Sequence, residues 1–185
     1  MILSRLFEPS AEKVAGRALY EAVTRQARQP VFYTAFGVPD TVEGRFELYT
    51  LHVVLLLHRL SKPQTQGVAQ ALFDAYVQAL DDALREMGVG DLTVPKRMRK
   101  LAEAFYGRAK AYRAALEASD SAALEALIAR TLFADADDTS ASAALCAYVE
   151  HCVAALAGAP DEALLAAHPP WPEPDAEAKT TETAP

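Results

Sequence analysis

Residues 42 to 60 constrain the fold of this chain more than any other stretch. Phe46, Tyr49, Val53, Leu56 or Leu57 and Leu60 recur at helical spacing, which predicts a helix. Leu48, Leu51 and Leu55 fall on its other faces. A helix that is apolar nearly all round has no face to give to water, so it belongs at the centre of a fold with other helices around it. Asp40 or Thr41 can cap its start, and Pro63 lies just beyond its end. Its unbroken apolar run, Val53 to Leu57, sits between His52 and His58. That run is far short of the roughly 20 residues a membrane span needs.

The partners of such a helix are legible on both sides of it. Residues 11 to 28 carry Ala11, Val14 or Ala15, Ala18 or Leu19, Ala22 and Val23 at helical spacing, with Ser10 as a candidate N-cap and Pro30 as a stop. An aromatic-rich connector, Val31 to Gly37, follows. Residues 67 to 87 form an amphipathic helix lined by Val68, Leu72, Tyr76, Leu80, Leu84 and Met87, and Gly88 suits a left-handed C-terminal cap. Residues 94 to 117 form another, with Met98, Leu101, Phe105, Ala109, Tyr112 and Leu116 inward, Thr93 as candidate N-cap and Pro95 in the first turn. Further helices are expected at 121 to 133, 139 to 157 and 161 to 167, with an acidic turn at Asp135 to Asp138. About a fifth of the chain is Ala and only 8 residues are Gly, which suits helices, and no β-alternating run or repeat interrupts them. The fold class expected is all-α: one compact bundle of six to seven helices over residues 1 to 167. Residues 168 to 185, acidic and Pro-rich with Trp171 as their one large aromatic, read as a disordered tail.

Net charge is -7, which argues against a chain that is basic overall and coats nucleic acid. The charge is nevertheless polarised. Arg85 to Arg113 holds 8 basic residues against 3 acidic ones, and Glu117 to Glu150 holds 7 acidic against 1 basic. On helix 94 to 117, Lys96, Arg97, Arg99, Lys100, Lys110 and Arg113 lie outside the apolar arc. They form a candidate contact for an anionic surface such as phospholipid headgroups or ribosomal RNA. The plainer reading is a solvated face neutralised by the acidic helices that follow.

Catalytic chemistry is thinly represented. With only 2 Cys the chain is no disulfide scaffold. His52 and His58, and Cys146 and Cys152, are each six apart, which fits no zinc-ligand pair and reads as single buried or half-buried residues. No nucleophile elbow or P-loop occurs. Asp81-Asp82 could serve a helical prenyl-transfer enzyme if Asp137 converged on it. The Asp81 to Arg85 spacing instead favours an ordinary i, i+4 ion pair. The loop Gly88-Val89-Gly90-Asp91 could hold an anion on backbone N–H groups, or simply end one helix and begin the next. No metal or cofactor is expected. The N-terminus has no apolar stretch of signal-peptide kind, so the chain reads as soluble and reducing-compartment.

Three segments together resemble the ubiquinol–cytochrome c chaperone family. They are Phe32-Tyr33-Thr34-Ala35-Phe36-Gly37-Val38-Pro39-Asp40-Thr41-Val42-Glu43-Gly44-Arg45-Phe46; Gln70 to Asp74 with Asp81 to Asp91; and Val94-Pro95-Lys96 to Phe105-Tyr106-Gly107-Arg108. The likeness spans roughly residues 18 to 157. It implies a non-enzymatic assembly factor of the cytochrome bc1 complex that binds newly made cytochrome b or an early bc1 intermediate. A small partner protein, the inner-membrane surface and the ribosome are further contacts the resemblance implies; DNA is not. The chain looks like the compact bacterial form, acting on the cytoplasmic side of the inner membrane. Client- or partner-binding candidates are Asp40, Gly44, Arg45, Arg85, Gly90, Asp91, Lys96, Phe105, Tyr106 and Arg108. For several of these a structural role competes: Gly44, Gly88 and Gly107 can permit close packing, and Asp40 or Asp91 can cap helices. The alternative is a peripheral lipid- or RNA-binding module that uses the basic face.

Overall fold

A computed structural model describes residues 10–134 and 140–175. Within them the order is α1 (Ala11–Ala27), α2 (Pro30–Thr34), α3 (Val42–Arg59), α4 (Gln66–Glu86), α5 (Val94–Glu117), α6 (Ser121–Leu132), α7 (Ser140–Gly158) and α8 (Asp161–Leu165). Among the described residues there is no strand. The acidic turn expected at Asp135 to Asp138 lies outside them.

α3 is the axis of the bundle. Leu48, Thr50, Leu51, His52, Val53, Val54, Leu55 and Leu56 are all buried, and α1, α4, α5, α6 and α7 pack around them. The Thr41 hydroxyl, not Asp40, caps its start by accepting from the Gly44 N–H at 3.0 Å. The chain doubles back tightly there: a Cβ on Gly44 would come within 2.1 Å of the Pro39 carbonyl oxygen. α1 lies close along α4 because Gly16 has no side chain. A Cβ there would sit 2.5 Å from the Ala71 backbone.

Arg59 ends α3 and ties it to α7. Its Nε donates to Leu156 O at 2.8 Å and its Nη2 to Ala159 O at 2.7 Å and to Asp161 at 2.6 Å. The last carbonyls of α7 have no partner inside their own helix, and a cation there also suits the helix dipole. α7 is long and apolar enough to cross a membrane by length and composition. It is a core helix here, with Leu145, Cys146, Tyr148, Val149, Cys152 and Leu156 buried against α3 and α6.

Four local expectations change. The aromatic connector contains a helix, α2, opened by Pro30 and fixed by the burial of Phe32 and Phe36. Thr93 stands at the start of α5, but its side chain makes no capping bond. Its backbone is already helical, so the hydroxyl is not aimed back along the first turn. Met87 is 52% exposed, because α4 runs past the end of the core before it stops. The fourth change concerns the tail. Its described part, residues 168–175, lies against the bundle, and Trp171 packs edge-on to His52 with centroids 5.2 Å apart. Four prolines make that segment a poor helix, yet one large aromatic is enough to hold it to a hydrophobic surface. Residues 176–185 lie outside the described residues.

Under that segment is a buried polar chain. A carbonyl can only accept, so His52 Nδ1 carries the proton it donates to Leu48 O at 2.8 Å. Nε2 is then the acceptor for the Tyr148 hydroxyl at 3.0 Å, and that hydroxyl accepts from Gln26 Nε2 at 2.9 Å. Burial lowers the His52 pKa to about 4, so the ring is neutral. Burial pushes the neighbouring Cys152 thiol up to about 12, which makes it an inert packing group.

Candidate functional site

The side of α3 away from Trp171 is open. α4 and α5 diverge over it and leave a cleft of about 530 Å³. Val54, Leu57 and His58 come from α3, Ala69, Gln70 and Phe73 from α4, and Phe105, Tyr106, Ala109 and Arg113 from α5. The cleft exists because of a mismatch of faces. Phe105 and Tyr76 stack inward at 5.3 Å, whereas Phe73 and Tyr106 sit about one residue's rotation round their helices. Phe73, half-buried, leans on Phe105 at 5.1 Å and meets the exposed Tyr106 ring at 6.0 Å at the edge of the mouth. Tyr106 is 61% exposed, and Gly107 beside it adds no side chain and has open space around it, so the Gly107 packing role anticipated above is not realised.

At 100° per residue, Arg99, Tyr106 and Arg113 fall on one line along α5. Of these, Tyr106 and Arg113 line the cleft, so its lip carries an aromatic ring and a guanidinium group. Such a surface takes an apolar or aromatic segment and can also meet an acidic group.

Of the candidate residues, Phe105 and Tyr106 line this cleft. Arg108 lies on the neighbouring flank of α5 and braces it: its Nε and Nη2 donate to both carboxylate oxygens of Glu47 on α3 at 3.0 and 2.8 Å. The others lie elsewhere. Arg45 donates to Asp40 at 2.6 Å and stands 5.9 Å from the Tyr33 ring, holding the turn before α3. That hydrogen bond keeps the Asp40 carboxyl below its usual pKa. Arg85 is bonded to Asp81 at 2.6 Å and to Asp91, joining the end of α4 to the loop that contains Gly90. Gly44 allows the close approach to Pro39 described above. Lys96 is exposed near the start of α5.

The six cations of α5 divide into two groups. Lys96, Arg97, Arg99 and Lys100 crowd the first two turns, while Lys110 and Arg113 lie near the far end, where Arg113 borders the cleft. All six are exposed, and among the described residues none forms an ion pair. Neutralisation by the acidic helices is thus not made through direct pairing there. Among the described residues no group of three His, Cys, Asp or Glu could hold a metal. Asp81 is engaged by Arg85, which counts against a prenyl-transfer site, and Asp137 lies outside the described residues.

Sequence reasoning missed the α3 and α4 contributions, chiefly Leu57, His58 and Phe73. The one signal available was that Phe73 and Tyr106 are large aromatics beside, not on, the inward stripes of their helices.

Fold and site together define a helical binding protein with an apolar, cation-lipped cleft. The model of the family described as ubiquinol–cytochrome C chaperone matches residues 34–171, well over half of the chain. The crystal structure of the Cbp3 homolog from Brucella abortus is 40% identical, with a TM-score of 0.81, covering 96% of this chain and 98% of that one. No match was found among curated protein sequences. The chain belongs to the ubiquinol–cytochrome c chaperone family. Membership of a chaperone family implies a non-enzymatic role.

Proposed function

We propose that this chain is an assembly chaperone of the cytochrome bc1 complex. In this reading it holds newly made cytochrome b, or an early bc1 intermediate, in the cleft between α3, α4 and α5. The observation that carries the reading is the Phe73–Tyr106 pair: the outer edge of an aromatic cluster brought to a solvent-open mouth, whereas Trp171 packs over the cluster of Phe32, Phe36, His52 and Tyr148. A volume of about 530 Å³ takes a few large side chains, not a whole helix. The client would therefore be gripped by protruding side chains of an apolar segment and released without unfolding either partner. On this reading the chaperone works at the cytoplasmic face of the inner membrane, where cytochrome b is inserted. A small partner protein or the ribosome would engage other faces of the bundle.

The test is a strain lacking the gene, complemented with wild type or with Tyr106→Asp, with cytochrome b and assembled bc1 complex quantified. Loss of both in the deletion strain, restored by wild type and not by Tyr106→Asp at equal protein level, is the expected result. Normal bc1 levels in the deletion strain would overturn the chaperone reading. A defect in the deletion strain that Tyr106→Asp fully restores would overturn only the cleft as the client site.

A further inference from the structure

The loop between α4 and α5 ends in the most exposed large apolar residue described, Leu92, which is 99% accessible. Met87, at the end of α4, is 52% exposed on the same tip. Immediately behind them stand Lys96, Arg97, Arg99 and Lys100. At 1.5 Å per residue, Lys100 lies only about 9 Å along the axis from Val94, so all four charges sit within about one Debye length of the tip.

Local helix physics does not favour this arrangement. The first turn of α5 contains no acid and receives no side-chain cap, and its cations lie at the positive end of the helix dipole. Nearby acids offset them only in part. Arg85 neutralises one of the two carboxylates it binds, Asp81 and Asp91, while Asp82 accepts from the neutral Gln78 on its own helix and keeps its charge. Asp82 and Glu86 lie roughly 120 to 160° round α4 from the flank of Phe73, Leu80 and Met87.

We infer that this tip is a docking surface for an anionic lipid bilayer: Leu92 and Met87 enter the interfacial layer while the four cations of α5 meet the headgroup phosphates. The apolar residues decide between the two anionic polymers that such charge could serve. A phosphate backbone offers nothing to a solvated leucine, whereas the headgroup–acyl boundary removes it from water. The inference stands on the tip alone and does not depend on the client reading. It would set the cleft beside the membrane: Tyr106 is about 18 Å from the start of α5.

The test is co-sedimentation of the full chain with vesicles of phosphatidylcholine alone or with about a third phosphatidylglycerol, a composition that mimics an anionic leaflet. Binding is expected only to the anionic vesicles and is weakened by salt. Leu92→Ser should weaken it about tenfold, in line with the transfer free energy of one leucine. Replacing Lys96, Arg97, Arg99 and Lys100 with Gln should weaken it at least about a hundredfold, since each cation near such a surface contributes about fivefold. Lys110→Gln, about 24 Å from the tip, should bind as wild type. Unchanged melting temperatures show the variants are folded. Absence of vesicle binding, vesicle binding indifferent to Leu92→Ser, or binding to a structured RNA that displaces the vesicles would each overturn the inference.

Discussion

The two sides of α3 are both built from aromatics, and they end differently. Toward α1 and α7, Phe32, Phe36, His52 and Tyr148 interlock edge to face, and Trp171 closes over them. Toward α4 and α5, Phe73 and Tyr106 touch at the edge of an open mouth. The difference lies in what the chain has left to cover each side with. The closed side receives residues 168–175, held by Trp171 and by Gln26 Nε2 donating to Pro172 O at 3.4 Å. The open side receives nothing from the described residues. Ring packing alone therefore does not mark a binding surface; the absence of a cover does.

Trp171→Ala should have the largest effect. It removes the cover, and partial burial of the ring places the loss at about 2–3 kcal/mol of unfolding free energy, measurable by urea denaturation. If stability is unchanged, the two sides are not as different as their geometry indicates. Trp171 is the only tryptophan, so its emission also reports directly on whether the segment is seated.

Next comes pH. Folded His52 binds a proton only near pH 4, whereas an unfolded histidine binds one near 6.5. Between those values the unfolded chain holds more protons, so stability is complete above about pH 6.5 and falls as pH drops toward 4. From pH 7.5 to 5 the loss due to His52 should be about 2 kcal/mol. Comparing urea midpoints of wild type and His52→Asn at the two pH values isolates it, because the variant lacks that part of the slope.

On the open side, Arg108→Met breaks the Glu47 brace and leaves a carboxylate that is only 11% exposed without its partner. About 1–2 kcal/mol is expected, read as a lower thermal midpoint. Smallest for stability, and largest for function, is Tyr106→Ser. The exposed ring should contribute less than about 0.5 kcal/mol to folding, yet its loss should weaken capture of an apolar client segment about tenfold in a crosslinking or pull-down assay. A variant that is destabilised but still captures the client would reverse the roles assigned to the two sides.

How much of this was readable in the residues follows from the range of the interactions. The helices, and α3 as their centre, were legible because apolar periodicity and all-round apolarity are local patterns. Gly88, at φ +78°, was legible for the same reason: ending a helix left-handed is a local need. The cations of α5 were legible as a charged face, but not as two groups serving different ends of a helix. The Arg108–Glu47 bond joins residues 61 apart and has no local signature. Trp171 shows the limit most plainly. Proline and acid around it read as a tail, and nothing in that composition shows a histidine 119 positions earlier waiting for an aromatic edge.

The sequence by itself determined the long helices, the burial of α3 and a resemblance sufficient to name the family. Propensity, capping and periodicity act over a few residues, and family motifs are strings. Tertiary structure alone decided which aromatic surface is closed and which is open, and which cations stand free. Those outcomes depend on which distant side chains arrive at the same place, and only packing sets that.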